Sequence, residues 1–255
     1  MITISLLVSI TLLLGEPYMG EANSQAESSM NWSQSAKTEN GKELIVKGRT
    51  DEKLIALTFD DGPDETTEQI LDVLNQFQVK ATFFVVGENC RMRPEVLVRI
   101  SKEGHEIGNH TYKHPKFRGK TKEQIGQEIA ETNKTISDII GREPVLFRPP
   151  GGTVNNNVVE AAKEPQVRIV LWTPESDSKD WINPGVGRII MNVLKSSHAG
   201  NIVLMHDGGG NRSQTLYALP EIIRRLKDRG FTFVTVTELM EKAAPSESDV
   251  DQELK

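Results

Sequence analysis

The chain of 255 residues is 37% hydrophobic, enough to bury one sizeable core or two small ones. A formal charge of −6, with Lys and Arg scattered rather than clustered, excludes the basic field that a nucleic-acid partner requires. One cysteine, Cys90, excludes intrachain disulfides and cysteine-based zinc sites, and its neighbourhood GENCRMR lacks the setting of a nucleophile.

Residues 2–14, ITISLLVSITLLL, are apolar apart from Thr and Ser, too short for a comfortable membrane span and suited to the core of a signal peptide. Ala22 and Ala26 follow in GEPYMGEANSQAES as small residues acceptable to a signal peptidase. No Lys or Arg precedes the apolar run, so either the α-amino group supplies the positive charge before it or the true start lies further upstream. Residues 1–22 therefore read as a leader, or as a retained anchor that attaches the chain to a membrane. Either way the protein is exported, to the cell envelope or exterior of a bacterium. Residues 23–42, rich in Ser, Gln, Asn and Glu, read as a flexible linker, and 243–255 as a disordered acidic tail. A single folded domain is expected over 43–242, with no internal repeat and no second module, acting as a monomer.

Within that domain, β-branched runs alternate with amphipathic stretches. Strands are expected at 55–59, 81–86, 106–109, 145–148, 168–172, 202–205 and 231–236. Helices are expected at 66–77, 94–103, 121–140, 185–197 and 216–229, with Gly104, Gly141 and Gly230 as stop signals. The alternation implies parallel strands and crossover helices, hence a (β/α) barrel or a doubly wound sheet. About seven strands favour an incomplete barrel, although sequence does not separate the two.

Both architectures gather chemistry at the carboxyl ends of their strands. The first strand ends in TFDDGP, where Asp-Gly-Pro is ordinary turn chemistry and Asp61 or Asp64 suits the cap of the next helix. Neither role explains Asp60 beside Asp61, a repulsive pair that calls for a positive partner such as a metal ion. After the third strand, GNHTYKHP carries His110 and His114. On a helical turn, residues four apart share a face, so both imidazoles would reach one ion, although an exposed helical His is usually just solvated. Two histidines and one carboxylate form a facial set for a divalent ion.

The fourth strand ends in FRPPGG, a rigid turn in which Arg148 needs a carboxylate, and Asp60 is available. The fifth leads through LWTPESDSKDW, whose Asp177, Asp180 and Trp181 have an alternative role in capping and packing. The sixth ends in His206 of IVLMHDGGG, a place where a structural histidine is commoner than a catalyst. Each feature alone has a bland explanation. Five strand ends, the first and the third to sixth, bearing Asp-Asp, His-x-x-x-His, Arg, Asp-Trp and His are the set a metal hydrolase requires.

Taken in order, TFDDGP, HTYKH, RPPGG, DSKDW and LMH resemble the five motifs of the NodB-type polysaccharide deacetylases, carbohydrate esterase family 4, over residues 53–239. The resemblance implies a distorted (β/α) barrel of about seven parallel strands. It implies one divalent metal ion, commonly zinc with cobalt or nickel as substitutes, held by Asp61, His110 and His114. Asp60 is then the general base, oriented by Arg148, and His206 the general acid, kept protonated by Asp180. Trp181 and Leu204 match the lining for an acetyl methyl group, and the backbone N–H of Gly151 matches the oxyanion donor. Many members carry Tyr where this chain has Gly151, which puts substrate contacts in question more than chemistry. The implied substrate is an N-acetylated polysaccharide, with peptidoglycan N-acetylglucosamine first, chitin oligosaccharide second and O-acetyl xylan a distant third. The rivals are a non-catalytic glycan-binding envelope protein on the same scaffold, and a metal phosphoesterase, which usually needs two metals and more carboxylates.

Overall fold

The computed structural model describes residues 44–242; the expected leader, linker and acidic tail lie outside them. Seven parallel strands form the centre: β1 (Leu54–Asp60), β2 (Thr82–Val85), β3 (Glu106–Asn109), β4 (Leu146–Phe147), β5 (Arg168–Ile169), β6 (Asn201–His206) and β7 (Thr232–Phe233). Their order is β5-β4-β3-β2-β1-β6, with β7 pairing Leu54 and Ile55 at the start of β1. Among the described residues, no ladder joins β5 to β6. Isolated bridges span the seam instead: Ile45 to Val170, Lys47 to Asn201 and Asp177 to Leu204. They wrap the sheet into a distorted (β/α) barrel, which decides against the doubly wound alternative.

The strand pleat sorts the core. Alternate side chains face opposite sides of a strand. Ile55, Leu57 and Phe59 of β1 join Phe83, Val85, Val203 and Met205 in a cluster with Leu71, Leu97, Val193 and Leu219 from the surrounding helices. Leu54, Ala56, Phe84, Leu146 and Ile202 belong to a separate inner cluster with Val236 and Leu239. Each fully buried side chain of this size stabilises by about 1.5–3 kcal/mol. The inner set continues upward as Thr58 and Asp60 on β1 and as Leu204 and His206 on β6, so the same alternation that builds the core delivers polar groups to its mouth.

Eight helices surround the strands: α1 (Glu65–Gln76), α2 (Gly87–Met92), α3 (Pro94–Lys102), α4 (Lys122–Ile140), α5 (Asn156–Ala161), α6 (Val186–Lys195), α7 (Ser213–Asp228) and α8 (Val236–Lys242). The five expected from sequence lie within three residues of their expected bounds. Local chemistry explains this, as Asp64 caps α1 and Thr121 caps α4, each in a reciprocal capping box, and Gly141 ends α4 at φ 74°. The short helices α2, α5 and α8 were not expected, because one or two turns carry too little periodicity to read. Helix α8 claims Val236 from the expected last strand. Strands β4 and β5 are shorter than expected because the 45–47 segment takes over pairing: the Leu171 N–H bonds to the Ile45 carbonyl at 2.8 Å.

Cys90 is fully buried, and burial pushes its thiol well above the ordinary range, which fits a packing residue. Among the described residues, no helix is long and apolar enough to cross a membrane.

Candidate active site

Asp60 terminates β1 inside the barrel, where it meets Arg148. The guanidinium is wholly buried and donates Nη1 to Asp60 Oδ1 at 2.7 Å and to Thr58 Oγ1 at 2.8 Å. It also donates Nη2 to the Leu171 carbonyl at 2.9 Å and Nε to the Val170 carbonyl at 3.3 Å, and it lies 4.0 Å from the centre of the Phe84 ring. A buried cation persists when its donors are met and a counter-charge touches it. The consequence for Asp60 is a fixed carboxylate, with Oδ2 left 3.7 Å from His110 Nε2.

Asp61 turns the other way. Its φ of 77° takes the backbone out of the strand, and the Asn89 side-chain amide holds its carbonyl at 2.8 Å. The HDGGG loop closes on it from behind. A Cβ at Gly208 would lie 2.4 Å from the Asp61 carbonyl oxygen, and one at Gly209 would lie 2.5 Å from Asp61 Oδ2. Neighbouring carboxylates thus serve separate surroundings, and repulsion between them is offset on each side.

The two histidines sit on an irregular loop after β3, which corrects the expectation of a helical turn. Thr111 and His114 have φ of 71° and 52°, values no helix uses. The Thr111 N–H donates to Asn109 Oδ1 at 2.7 Å, and the His114 N–H donates to Thr111 Oγ1 at 3.1 Å. From α4, Glu128 Oε2 accepts the N–H groups of Tyr112 and Lys113 at 2.9 and 2.8 Å. The loop still brings the rings together, with centroids 5.0 Å apart.

His110 Nδ1 lies 2.7 Å from the Arg148 carbonyl. A carbonyl only accepts, so Nδ1 carries the proton and the Nε2 lone pair is free. His110 Nε2 and His114 Nε2 stand 3.4 and 3.2 Å from Asp61 Oδ1. That oxygen is buried and has no hydrogen-bond partner among the described residues, a costly state for a carboxylate unless a cation completes it. One ligand atom each from Asp61, His110 and His114 lies within 4.8 Å of the others, so this donor set fits a divalent ion. Burial would raise the Asp61 pKa, but His110, with smaller contributions from His206 and His114, outweighs it and holds it at about 2. Burial, with the His110 charge adding to it, lowers the His114 pKa, whereas the Asp60 and Asp61 carboxylates outweigh burial at His110 and raise it.

Across the cavity, His206 is held by Asp180. Nδ1 lies 2.7 Å from Asp180 Oδ1, while Asp180 Oδ2 accepts the His206 N–H at 2.8 Å and the Thr215 hydroxyl at 2.7 Å. Burial disfavours a charged imidazole there, but the bond to Asp180 and its charge outweigh burial and raise the His206 pKa. Such an imidazole suits a proton donor at its other nitrogen.

Asp60, Asp61, His110, His114, Gly151, Trp181, Leu204 and His206 line one cavity of about 370 Å³. Arg148 and Asp180 stand behind it as the partners of Asp60 and His206. Gly151, at φ 60°, leaves open space where a side chain would stand, and Trp181 is 51% exposed at the rim.

Two residues, Trp172 and Asp207, escaped the sequence reading. Trp172 lines the cavity together with Asp177, which the sequence offered as a capping and packing residue. Asp207 is fully buried and accepts the Gly62 N–H at 3.1 Å and the Thr67 hydroxyl at 2.6 Å, tying the loop after β6 to the loop after β1. Burial, with the Asp61 and Asp60 charges adding to it, pushes its pKa up to about 7. A turn-like DGGG gave no sign of that role.

A parallel barrel with its polar groups gathered over the strand ends is an enzyme scaffold. Residues 47–170 match the family model described as polysaccharide deacetylase. A peptidoglycan-N-acetylglucosamine deacetylase of Bacillus cereus is 47% identical over 190 residues, covering 74% of this chain and 89% of that protein. The crystal structure of the Bc1960 peptidoglycan N-acetylglucosamine deacetylase superposes with a TM-score of 0.74 at 38% identity, over 78% of this chain and 92% of that one. BA3943 of Bacillus anthracis, a CE4 family pseudoenzyme, superposes with a TM-score of 0.71 at 30% identity, over 77% and 68% of the two chains. The chain belongs to the NodB-homology polysaccharide deacetylases of carbohydrate esterase family 4.

Proposed function

We propose that the protein is a metal-dependent hydrolase that removes N-acetyl groups from the N-acetylglucosamine of peptidoglycan, exported to a bacterial envelope and acting as a monomer. The observation that carries this reading is the unpartnered, buried Asp61 Oδ1 between two imidazole nitrogens, in one cavity with Asp60 and His206. Asp61, His110 and His114 would hold a divalent ion, zinc by the nitrogen-rich character of the set, and such an ion would supply Lewis acidity toward the acetamide carbonyl and the attacking water.

The remaining work falls to the chain. Asp60, oriented by Arg148, takes a proton from the water that attacks the carbonyl carbon. The Gly151 N–H donates to the oxyanion of the tetrahedral intermediate. His206, charged through Asp180, gives a proton to the amine as the C–N bond breaks, releasing acetate and a free amino sugar. Trp181 and Leu204 flank the acetyl methyl group. Each of the two has a fixed partner: Arg148 holds the Asp60 carboxylate in place, and Asp180 raises the His206 pKa so that the donor is charged.

Peptidoglycan is preferred over chitin because the 47% identical relative carries the name of a peptidoglycan deacetylase. The pseudoenzyme relative keeps a binding-protein reading in view. Against it stands the complete set of acid, base and ligand side chains here. The test is acetate release from peptidoglycan and from chitin oligomers, abolished by chelator and restored by metal. Silence of every metal-reconstituted sample on both glycans would remove the deacetylase assignment.

A further inference from the structure

A second cavity, about 910 Å³, opens along the seam between β5 and β6. Three lysines, Lys47, Lys179 and Lys195, line it against two carboxylates, Glu175 and Asp177. None of the three lysines makes an ion pair with a described residue. In a chain of net charge −6, that is a local excess of unpaired positive charge.

Asn201 lines the same cavity and is 1% exposed. Its amide orientation is fixed, because Nδ2 donates to Ser176 Oγ at 2.8 Å and to the Ser196 carbonyl at 2.7 Å. Oδ1 is left buried with no donor. Buried amide oxygens are nearly always met, so this one asks for an N–H or O–H from a visitor.

The two cavities share Asp177, which bridges to Leu204 on β6. From Leu204 back to Asn201 is three residues of strand, about 10 Å. An extended chain of about three residues spans that distance.

We propose that this seam seats an acidic peptide branch of the same glycan whose acetamide enters the smaller cavity, an assignment that rests on the deacetylase reading above. The lysines take the carboxylates of the branch, and Asn201 Oδ1 accepts one of its N–H groups. A neutral glycan would leave the lysines unanswered. The seam therefore discriminates a peptide-bearing wall polymer from chitin, outside the reacting centre.

The experiment compares the metal-loaded full-length chain with Lys47→Glu/Lys195→Glu, on neutral N-acetylglucosamine oligomers and on glycan strands of equal length that keep their peptides. Reversing two charges at a partly exposed site is expected to raise KM on the peptide-bearing strand roughly tenfold, with kcat and the neutral oligomer unchanged. Equal effects on both substrates, or none on either, overturn the proposal. Calorimetric titration with a free acidic tetrapeptide and with inorganic phosphate needs no turnover. Peptide binding that the double variant loses supports the seam. Phosphate binding as tightly as the peptide marks a bare anion site and overturns it, as does no peptide binding by the parent. Peptide binding without acetate release from any glycan would sink the deacetylase reading alone. If the double variant melts early, Lys195→Gln provides the same comparison with a smaller KM rise.

Discussion

Asp180 grips His206 at two points, accepting from the ring at 2.7 Å through Oδ1 and from the backbone N–H at 2.8 Å through Oδ2. The carboxylate therefore sets both the position and the charge of the imidazole. Its partner Thr215 leaves it little freedom to swing away.

In Asp180→Asn the shape survives and the charge is lost. The raised His206 pKa should then fall. A general acid works only while protonated, so activity is lost as pH rises through its pKa, and the alkaline limb of the kcat profile moves to lower pH. At neutral pH kcat should drop roughly 10²- to 10³-fold. An unmoved alkaline limb would mean that His206 is not the proton donor.

Asp60→Asn separates catalysis from metal binding, since Asp60 lies outside the cluster of Asp61, His110 and His114. Turnover is expected to fall roughly 10²- to 10⁴-fold while metal content, read by elemental analysis, stays near that of the parent. Arg148 also loses the carboxylate it touches at 2.7 Å, so stability should fall by about 3 kcal/mol in denaturant titration. Retained turnover would mean that Asp60 is not the base, whereas glycan binding and biological effect that persist unchanged in the variant would favour the binding-protein reading.

Asp61→Asn and His114→Ala should each lose metal and activity together. Because the ion binds the folded chain, removing it by chelator should also lower the melting temperature of the parent. At a free metal concentration a hundred times Kd the loss is about 2.7 kcal/mol. His114 is exposed, so its replacement should leave the metal-free chain about as stable as the parent without metal.

His105 offers a pH test away from the site. Burial, aided by the Lys80 and Arg99 charges, lowers its pKa from 6.5 to about 4, and its Nδ1 accepts the Ala81 N–H at 3.2 Å. The unfolded chain takes up this proton before the folded one does. The contribution is therefore intact above pH 6.5 and is lost as pH falls from 6.5 towards 4, on the order of 3 kcal/mol. Denaturant titrations over that window should show this slope in the parent and a shallower one in His105→Gln, which keeps an acceptor. Equal slopes would place the acid sensitivity elsewhere.

Much of this site was legible in the chain before any fold. β-branched runs, amphipathic spacing and stop glycines are local, so they placed β1, β6, α1 and α4 and, through them, the order in which polar groups reach the barrel mouth. Elementary charge pairing also anticipated the contact of Arg148 with Asp60. Spacing alone, however, misread the loop of His110 and His114. Its two positive φ values are tolerated because Asn109 and, from a distant helix, Glu128 satisfy its N–H groups.

What remained hidden depends on partners far apart in sequence. Asp207 looked like turn filler until Gly62 and Thr67 closed around it, and Trp172 and Asp177 became cavity walls only when the 173–178 segment paired with β6. Short-range sterics and hydrogen bonding determine what each segment is; which segments meet is decided by burying them together, and only that packing brings an unmet oxygen on Asp61 to two imidazoles.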